Sequence, residues 1–403
     1  MTPPDPPVTL DSMRVGFDIG PITHARSGVG NYCLHLLKAL LEIEGLDVTG
    51  FAAQARSLDL KAIGRRLPHR RLPIPTRAMY KVWSTFGAPS VDSLLGGVDL
   101  YHATNYFLPP VRRAKRVLTI HDITFKKHPE LCSPKIVGPF SSRVEGFARE
   151  ADAVIADSES TRQDIINLLG IPQERVHTVL LATDASMKPV PIEIARKPYG
   201  LNDPYILFVG TIEPRKNVHG LMKAFLRIMD EFPHTLVLVG SYGWYDKDAY
   251  ESVVELAMDA DTVWPASAQA VAESPDSWLS LMHSRIKHLE YVDQKDLPSL
   301  YSAADAFVFP SSYEGFGLPI LEAMACGCPV ITADNSSLPE VAGDAAEYCD
   351  ANDVDSIANA MRRVLSDPLL REQMRQRGFA QAAKFSWEKT AEKTAAIYRS
   401  VCG

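Results

Sequence analysis

Short apolar runs rich in β-branched residues alternate along this chain with longer segments in which apolar residues recur at helical spacing. This alternation predicts strands and helices in turn. The predicted strands are 13–19, 98–104, 116–122, 152–158 and 176–181 in the first half, and 205–210, 235–240, 305–311 and 329–334 in the second. The predicted helices are 31–44, 158–169 (with Ser158 or Ser160 as its cap), 217–229, 318–325, the helical region 353–383, and 386–401.

This order of elements predicts an α/β protein, because strands that alternate with helices form right-handed crossovers in parallel sheets. The periodicity is lost after residue 182 in a segment that collects four prolines, and we interpret residues 183–204 as a linker. The chain is therefore expected to contain two doubly wound, Rossmann-like domains, 1–182 and 205–385. Ligands of such folds bind beyond the carboxyl ends of the strands, so the expected site is a cleft between the domains.

The segment from Glu314 to Glu322 follows a predicted strand and opens a predicted helix. Gly315 and Gly317 permit a sharp turn, and Pro319 suits the first turn of a helix. The turn also offers backbone N–H groups to phosphate or sugar oxygens, on Phe316, Gly317 and Leu318. Since two carboxylates repel phosphate, the two glutamates are better explained as acceptors for sugar hydroxyls. The alternative is a capped helix with surface glutamates.

Two adjacent cations, Arg215 and Lys216, follow the predicted strand 205–210. Cations at a helix N-terminus can neutralise a diphosphate leaving group, and Asn217 can cap that helix. The alternative is a solvated basic turn. Gly28 and Gly30 make a second glycine turn before the first helix, which a packing role explains equally well.

His121 and Asp122 end the strand 116–122, at the edge of the sheet where ligands bind. His121 could contact a sugar hydroxyl, and Asp122 could bind an acceptor hydroxyl. A structural role for the histidine is the alternative.

Composition and charge narrow the class of protein. The chain is 46% hydrophobic and 23% charged, as soluble globular proteins are, and its net charge of -7 argues against a general nucleic-acid binder. Residues 1–190 carry a net charge of +4 and residues 191–403 one of -11. The stretch from Lys61 to Lys81 holds five arginines and no carboxylate. It is either a solvated loop or a surface for anionic lipid or an anionic acceptor.

No apolar run approaches the roughly 18–20 residues of a membrane span, and residues 1–13 lack a signal-peptide pattern. We therefore expect a cytoplasmic protein that is at most peripheral on the inner face of the plasma membrane. The six scattered cysteines predict reduced, buried thiols. The sequence offers no set of metal ligands, and no metal is expected.

The run PSSYEGFGLPILEAMACGCPVITADNSSLPEVAGDAA resembles the signature of the retaining glycosyltransferases of family four. FVGTIEPRKN resembles the phosphate-binding segment of that family, and GVGNY and HDITFKKHPE resemble N-terminal-domain segments of its mannosyltransferase-like members. The resemblance covers nearly the whole chain in the right order. It implies a GT-B fold, in which two Rossmann-like domains face a central cleft. The first, 1–182, would bind the acceptor, and the second, 205–385, the nucleotide-sugar donor. The C-terminal helix, 386–403, would pack back on the first.

The resemblance also implies transfer of a sugar from a nucleoside diphosphate with retention of configuration, and no required cofactor. Lys216 and Arg215 would bind the diphosphate, and Glu314 the donor sugar. Glu322 would bind the ribose, and His121 would contact the donor sugar near the reacting carbon. The further implied donor contacts are Gly28, Gly30, Gly315, Phe316, Gly317 and Leu318, with Tyr291 and Val292 near the base.

Two features depart from the family pattern. Thr211 stands where many relatives carry an arginine, so Arg215 is the candidate substitute. Residues 245–285 look longer than usual, which indicates either an extra helical element near the nucleotide pocket or a partner contact.

We therefore expect a hexosyltransferase that moves mannose from GDP-mannose to a saccharide or lipid-linked glycan acceptor in the synthesis of cell-surface polysaccharide, such as lipopolysaccharide. One alternative is the same reaction with a UDP-sugar or another nucleotide sugar as donor. A different class is a catalytically silent sugar-nucleotide-binding protein, against which the intact Glu314, Glu322 and Lys216 argue.

Overall fold

The computed structural model describes residues 12–24, 27–54, 57–195, 198–201, 203–243 and 284–403. Nearly all of the long segment 245–285 lies outside these residues. The described chain divides into two compact units. The first unit falls within Met1–Lys127, Lys135–Leu181 and Ser386–Gly403, and the second within His128–Pro134 and Ala182–Phe385.

The first unit is built on a parallel sheet of seven strands in the order β3-β2-β1-β4-β5-β6-β7. Its strands are β1 (Met13–Asp18), β2 (Leu46–Ala53), β3 (His69–Leu72), β4 (Leu100–Ala103), β5 (Lys115–Ile120), β6 (Ala153–Ala156) and β7 (Val176–Thr178). The order reverses between β1 and β4, which are direct neighbours. In a doubly wound sheet this reversal leaves a crevice beyond the carboxyl ends of the two strands.

The second unit repeats the arrangement with six parallel strands in the order β10-β9-β8-β11-β12-β13. They are β8 (Tyr205–Val209), β9 (Thr235–Val239), β10 (Ile286–Leu289), β11 (Ala306–Phe309), β12 (Val330–Ala333) and β13 (Ala346–Cys349). Here the order reverses between β8 and β11. The loops that follow these two strands therefore meet at one point of the sheet edge.

Helices cover the sheets, as the alternating pattern predicts. Those before the second sheet are α1 (Gly28–Leu40), α2 (Thr76–Phe86), α3 (Val91–Leu94), α4 (Thr124–Lys127), α5 (Pro134–Glu150), α6 (Glu159–Leu169) and α7 (Ile192–Ala195). Those after β8 are α8 (Val218–Leu226), α9 (Leu297–Ala303), α10 (Leu318–Ala325), α11 (Leu338–Ala342), α12 (Val354–Ser366), α13 (Pro368–Ala382) and α14 (Trp387–Cys402). Both sheets are parallel, so the predicted α/β class is confirmed.

The C-terminal helix α14 belongs to the first unit, where it packs against α1. The hydroxyl of its Tyr398 lies 2.6 Å from His102 Nδ1, and Nε2 of the same ring lies 2.7 Å from Thr119 Oγ1. Burial lowers the pKa of His102 to about 3, so the ring is neutral. At the start of the helix, Thr390 Oγ1 donates to the Leu180 carbonyl at 2.8 Å. Buried hydrogen bonds thus tie the end of the chain to the core of its first half.

The structure adds detail to three of the sequence expectations. The helical region 353–383 is two helices, because Pro368 starts a new one that Asp367 caps through the N–H groups of Leu369 and Leu370. The basic stretch is not only a loop, since it contains β3 and the first turns of α2. The segment interpreted as a linker contains α7, which packs against α9.

Candidate active site

Arg215 and Lys216 lie in a short 3₁₀ helix, Pro214–Lys216, in the loop after β8. Glu314 lies in the loop after β11, the neighbouring strand at the reversal of the sheet. Lys216 Nζ is 2.6 Å from Glu314 Oε1, and Arg215 NH1 is 2.7 Å from Glu314 Oε2. The two loops therefore bring Arg215 and Lys216 into contact with Glu314, which lies almost 100 positions later in the sequence.

Glu314 is buried and held on both its backbone and its carboxylate. Ser311 Oγ donates to Oε1 at 2.6 Å, and the backbone N–H of Glu314 donates to Ser336 Oγ at 3.0 Å. Burial alone would raise the pKa of this carboxyl, but the attraction of Arg215 and Lys216 outweighs it and lowers the pKa to about 2. Glu314 is therefore ionised at neutral pH.

The two cations differ in their surroundings. Lys216 is buried with Nζ 4.8 Å from the centre of the Phe309 ring. Burial and the charge of Arg215 lower its pKa despite the nearby Glu314. Arg215 is shared between carboxylates, since its NH2 also donates to Glu213 Oε1 at 2.7 Å. Two positive and two negative charges thus balance, and an arriving diphosphate would compete with carboxylates for both cations.

The turn after Glu314 has the geometry that its glycines predict. Gly317 has a φ of 112°, which L side chains rarely adopt, and an added Cβ would lie 3.0 Å from Leu338. Helix α10 begins at the next residue, and no side chain caps it there. Ser337 braces the turn from the other side, because its hydroxyl lies within hydrogen-bonding distance of the carbonyls of Glu314 and Phe316.

Glu322 lies on α10 and does not join the cation cluster. Its Oε2 accepts a hydrogen bond of 3.1 Å from the Tyr301 hydroxyl. Burial raises the pKa of Glu322 to about 7, and the charge of Asp184 acts in the same direction. A partly buried carboxylate for which the described residues show no ion pair is suited to accept hydrogen bonds from neutral hydroxyls, as a ribose would offer.

The other predicted donor contacts of the second unit are dispersed. Thr211 is exposed. Tyr291 is 80% exposed, whereas Val292 next to it is buried. Both precede α9, which starts at Leu297 as expected. Their predicted roles near the nucleotide stay predictions.

His121, in the first unit, uses both ring nitrogens within the protein. Nδ1 lies 2.7 Å from Asp157 Oδ2, and Nε2 lies 2.9 Å from the Thr104 carbonyl oxygen. A carbonyl only accepts, so Nε2 carries a proton. Burial would lower the pKa of His121, but Asp157 and the Thr104 carbonyl raise it above its ordinary value. A sugar contact by this ring would replace one of these two partners, and the predicted contact stays a prediction.

Asp122 lies at the start of α4, and the glycine turn with Gly28 and Gly30 lies at the start of α1. Asp122 Oδ1 accepts from the N–H and the hydroxyl of Thr124, each at 2.9 Å, at the beginning of α4. Gly28 is the first residue of α1, and an added Cβ there would meet no atom within 4 Å. Gly30 is buried in the same turn. The open space at Gly28 is compatible with a close approach by a ligand.

Several residues of the site carried no role in the sequence expectations. They are Glu213, Ser311, Ser336, Ser337, Asp157 and Tyr301. Glu213 and the three serines lie within the motifs quoted in the sequence analysis, so the sequence could have indicated that they belong to the site. Asp157 follows β6, and Tyr301 lies on α9. Only the fold brings Asp157 to His121 and Tyr301 to Glu322. In the described part of the chain, no group of three or more His, Cys, Asp or Glu side chains is arranged to hold a metal ion.

Two Rossmann-like units, each built on a doubly wound parallel sheet, are the architecture of the GT-B glycosyltransferases. The model of "Glycosyltransferase Family 4" matches residues 26–186, and that of "Glycosyl transferases group 1" matches residues 277–381. The chain is 34% identical to O-antigen chain mannosyltransferase B of Escherichia coli over 406 residues, which cover 96% of this chain and 100% of that protein. The chain belongs to family four of the glycosyltransferases.

Solved structures agree with this assignment of fold. Sucrose-phosphate synthase from Thermosynechococcus elongatus has a TM-score of 0.72 at 22% identity, covering 96% of this chain and 98% of that one. HepE of Anabaena, in complex with UDP and glucose, has a TM-score of 0.70 at 20% identity, covering 96% and 100%. At such identities the likeness shows the fold alone. The expected GT-B fold is confirmed.

Proposed function

We propose that the protein is a retaining mannosyltransferase that transfers mannose from GDP-mannose to a saccharide or lipid-linked glycan acceptor in the synthesis of cell-surface polysaccharide. The observation that carries the proposal is the Arg215-Lys216 pair, which contacts Glu314 at the sheet reversal of the second unit. The mannose donor is supported by the similarity over the full length of a protein named as an O-antigen chain mannosyltransferase.

The proposed chemistry is mainly electrostatic. As the bond between the sugar C1 and the β-phosphate oxygen breaks, negative charge grows on the diphosphate, and Arg215 and Lys216 meet it. The acceptor oxygen forms the new bond to C1 on the same face, and its proton passes to the departing phosphate. Glu314, displaced from the cations by the diphosphate, becomes available to the hydroxyls of the donor sugar. Glu322 holds the ribose.

The test combines a binding assay with a transfer assay. A thermal-shift panel of GDP, UDP, ADP and their sugars identifies the donor, because a ligand that binds only the folded state raises the melting temperature. We expect GDP and GDP-mannose to give the largest shifts. A larger response to UDP compounds would favour a UDP-sugar as the donor. UDP is included because the similar structure of HepE was solved in complex with UDP and glucose. No response to any nucleotide would contradict the whole proposal.

Lys216→Ala tests the leaving-group role, with Lys188→Ala, which removes an exposed lysine of the same unit, as the matched control. Loss of one preorganised hydrogen-bond donor to a developing negative charge typically costs about 10²–10³ in kcat. We expect that loss for Lys216→Ala and a wild-type rate for Lys188→Ala. Transfer at the wild-type rate by Lys216→Ala would refute the role. A wild-type protein that binds GDP-mannose but never transfers mannose would favour the silent sugar-nucleotide binder.

We also propose peripheral contact with an anionic membrane through the basic stretch and α2. Arg77 and Lys81 are exposed on α2, and beside them Val82 and Phe86 are exposed by 37% and 74%. Cations next to exposed apolar side chains favour binding to anionic lipid. In the described residues, no helix has both the length and the apolar character needed to cross a membrane.

Cosedimentation with vesicles tests the membrane proposal. We expect binding to vesicles rich in phosphatidylglycerol, weaker binding in high salt, and several-fold weaker binding for Phe86→Ser. Leu369→Ser, which removes a leucine that is 75% exposed on the second unit, is the control and should bind as the wild type does. Equal binding to neutral vesicles would contradict the proposal.

A further inference from the structure

A buried pair of titratable side chains lies at the carboxyl edge of the first sheet, where doubly wound folds bind ligands. His121 follows β5 and Asp157 follows β6, and the register of these strands sets Ile120 beside Ala156. His121 Nδ1 lies 2.7 Å from Asp157 Oδ2, and the two side chains are only 12% and 4% exposed. The pairing of adjacent strands therefore brings this histidine and this aspartate together.

Both ring nitrogens of His121 face atoms that accept hydrogen bonds. Nδ1 faces the carboxylate of Asp157, and Nε2 lies 2.9 Å from the carbonyl oxygen of Thr104. A neutral imidazole carries a proton on one nitrogen and would turn the lone pair of the other toward an acceptor. A proton shared between an imidazole and a carboxylate belongs to the imidazole, which is the more basic group. The two contacts are therefore those of an imidazolium that donates at both nitrogens.

Two aromatic side chains pack against the imidazole. Tyr32 of α1 meets it edge-on, with ring centroids 4.8 Å apart and planes at 81°, and Tyr106 does so at 6.4 Å and 89°. The Tyr32 hydroxyl is fixed in turn, because it lies 2.9 Å from Thr119 Oγ1. Burial raises the pKa of both tyrosines well above the ordinary value, so both are neutral. The ring of His121 is thus held by packing as well as by hydrogen bonds.

The other titratable groups around His121 favour its charged form. Burial would lower the pKa of this imidazole, but Asp157, the Thr104 carbonyl and Asp122 raise it above its ordinary value. Burial raises the pKa of Asp157, but the charge of His121 opposes that rise. His102 on β4 is neutral, because burial lowers its pKa to about 3 and the charge of His121 acts in the same direction. The charge is therefore concentrated on the pair.

The second carboxylate oxygen of Asp157 indicates a purpose beyond the fold. Oδ1 is buried and has no hydrogen-bond partner among the described residues, and Asp157 as a whole is 3% exposed. Buried polar atoms in native proteins are nearly always paired, so each exception asks for an explanation. A neutral side chain would avoid the cost of a buried charge with an unpaired oxygen. The carboxylate is explained by the effect of its charge on His121.

We propose that Asp157 is a positioning residue, which anchors His121 at Nδ1 as an imidazolium and leaves Nε2 as the nitrogen that donates to the donor sugar. The two partners of the ring differ in strength, because an ionised carboxylate is a stronger acceptor than a carbonyl. An arriving hydroxyl therefore exchanges with the Thr104 carbonyl and leaves the Asp157 contact intact. The inference rests on the proposed function, because it specifies how the predicted contact of His121 with the donor sugar is made.

Nitrogen NMR of the histidine rings tests this assignment directly. The full chain is labelled with ¹⁵N in its histidine side chains, and long-range proton–nitrogen correlation spectra report the protonation of each ring nitrogen. The signals of His121 are identified by their loss in His121→Gln, and the neutral ring of His102 is an internal reference. We expect both nitrogens of His121 to be protonated from pH 6 to pH 8. An unprotonated Nδ1 in the wild type at pH 7 would overturn the proposal.

Asp157→Asn retains the size of the side chain without its charge. The asparagine amide can donate to Nδ1, so the ring should become neutral and keep its proton on Nε2, which still faces the Thr104 carbonyl. Asp157→Glu restores a carboxylate and should restore the imidazolium. Asp152→Asn is the matched control, because Asp152 precedes the same strand β6 and pairs with Arg116 at the opposite edge of the sheet. Two protonated nitrogens in Asp157→Asn at pH 8 would contradict the role of Asp157.

A ligand and the transfer rate give the functional part of the test. GDP-mannose should shift the Nε2 signal of wild-type His121 and leave Nδ1 nearly unchanged, whereas GDP, which lacks the sugar, should shift neither. The kcat for transfer should fall about tenfold in Asp157→Asn, which is the difference between hydrogen bonds from a charged and from a neutral donor. It should stay at the wild-type value in Asp152→Asn. The thermal shift given by GDP should be equal in all variants, because the cations proposed to bind the diphosphate lie in the second unit.

The outcomes separate this inference from the proposed function. If Asp157→Asn has a neutral ring and still transfers mannose at the wild-type rate, the positioning role is refuted and the proposed function stands. A purely structural role would lower the melting temperature of Asp157→Asn and leave its ring protonation and kcat unchanged. If the wild type neither binds a nucleotide nor transfers sugar, the proposed function fails, and the spectra still decide whether Asp157 holds the imidazolium.

Discussion

Replacing the buried carboxylate of the cation cluster gives the sharpest test of the electrostatics. Glu314→Gln keeps the shape of the side chain and removes its charge, so Lys216 loses its carboxylate partner at 2.6 Å and Arg215 is left with Glu213 at 2.7 Å. The folded pKa of Glu314 is about 2 against an ordinary value of 4.5. At about 1.4 kcal/mol per pH unit, the ionised carboxylate contributes about 3 kcal/mol to the stability of the folded state at neutral pH. Breaking a buried ion pair typically costs about 3–5 kcal/mol, which agrees with this value.

The sign of the pH dependence follows from the direction of the shift. The folded pKa is lowered, so the contribution is fully present above the unfolded pKa of 4.5 and is lost as the pH falls through the folded value of about 2. We therefore expect wild type and Glu314→Gln to differ by about 3 kcal/mol at pH 7, nearly the same at pH 5, and about half as much at pH 3.

Hydrogen exchange measured by mass spectrometry suits this test, because it reports each unit separately in a protein that need not unfold in two states. Peptides from β8 and β11 should exchange about 100-fold faster in Glu314→Gln at pH 7, after correction for intrinsic rates. Glu290→Gln, which changes an exposed glutamate of the same unit, should exchange as the wild type does. Equal protection of β8 in wild type and Glu314→Gln at pH 7, or a difference that does not shrink at pH 3, would refute the argument.

Two further substitutions test other parts of the second unit. The pKa of Glu322 is raised to about 7, so the folded state binds an extra proton between pH 4.5 and 7, and stability falls by about 3 kcal/mol as the pH rises through that range. Glu322→Gln should therefore melt above the wild type at pH 8 and close to it at pH 5, and a variant that melts lower at pH 8 would contradict this. Asn217 has a φ of 51° and caps α8 through the N–H of Gly220 at 3.2 Å. In urea unfolding, the free energy of unfolding should fall in the order wild type, Asn217→Gly, Asn217→Ala. We expect Asn217→Ala to be less stable than the wild type by about 2 kcal/mol, because only Ala adds backbone strain to the lost cap. A Gly variant less stable than the Ala variant would be inconsistent with that strain.

The fold was largely predictable from the chain because its central strands are buried on both faces and appear as continuous apolar runs. The strands β2, β3, β10 and β13 were not predicted. In β3 every residue but the last is exposed, so burial leaves no pattern in its sequence. Edge strands of this kind are specified by pairing with a neighbour, which a local pattern does not record.

The sequence proposed residues for the candidate site, but it could not predict the contacts between them. The repulsion between carboxylates and phosphate led us to place Glu314 with sugar hydroxyls, and the structure adds its contact with both cations. Local sequence could not give this contact, because it depends on β8 and β11 being neighbours in the sheet. The partner of His121 is a similar case, since Asp157 follows the adjacent strand β6.

The attachment of α14 to α1 has a consequence for how the chain folds during synthesis. The second unit is almost continuous along the chain, whereas the first needs both its beginning and its final helix. A ribosome completes the residues of the second unit while the hydroxyl of Tyr398, which His102 requires, has not yet been made. The first unit to be translated is therefore the last to finish packing. A chain truncated before residue 386 and released from the ribosome should hold a folded second unit and an incompletely packed first one.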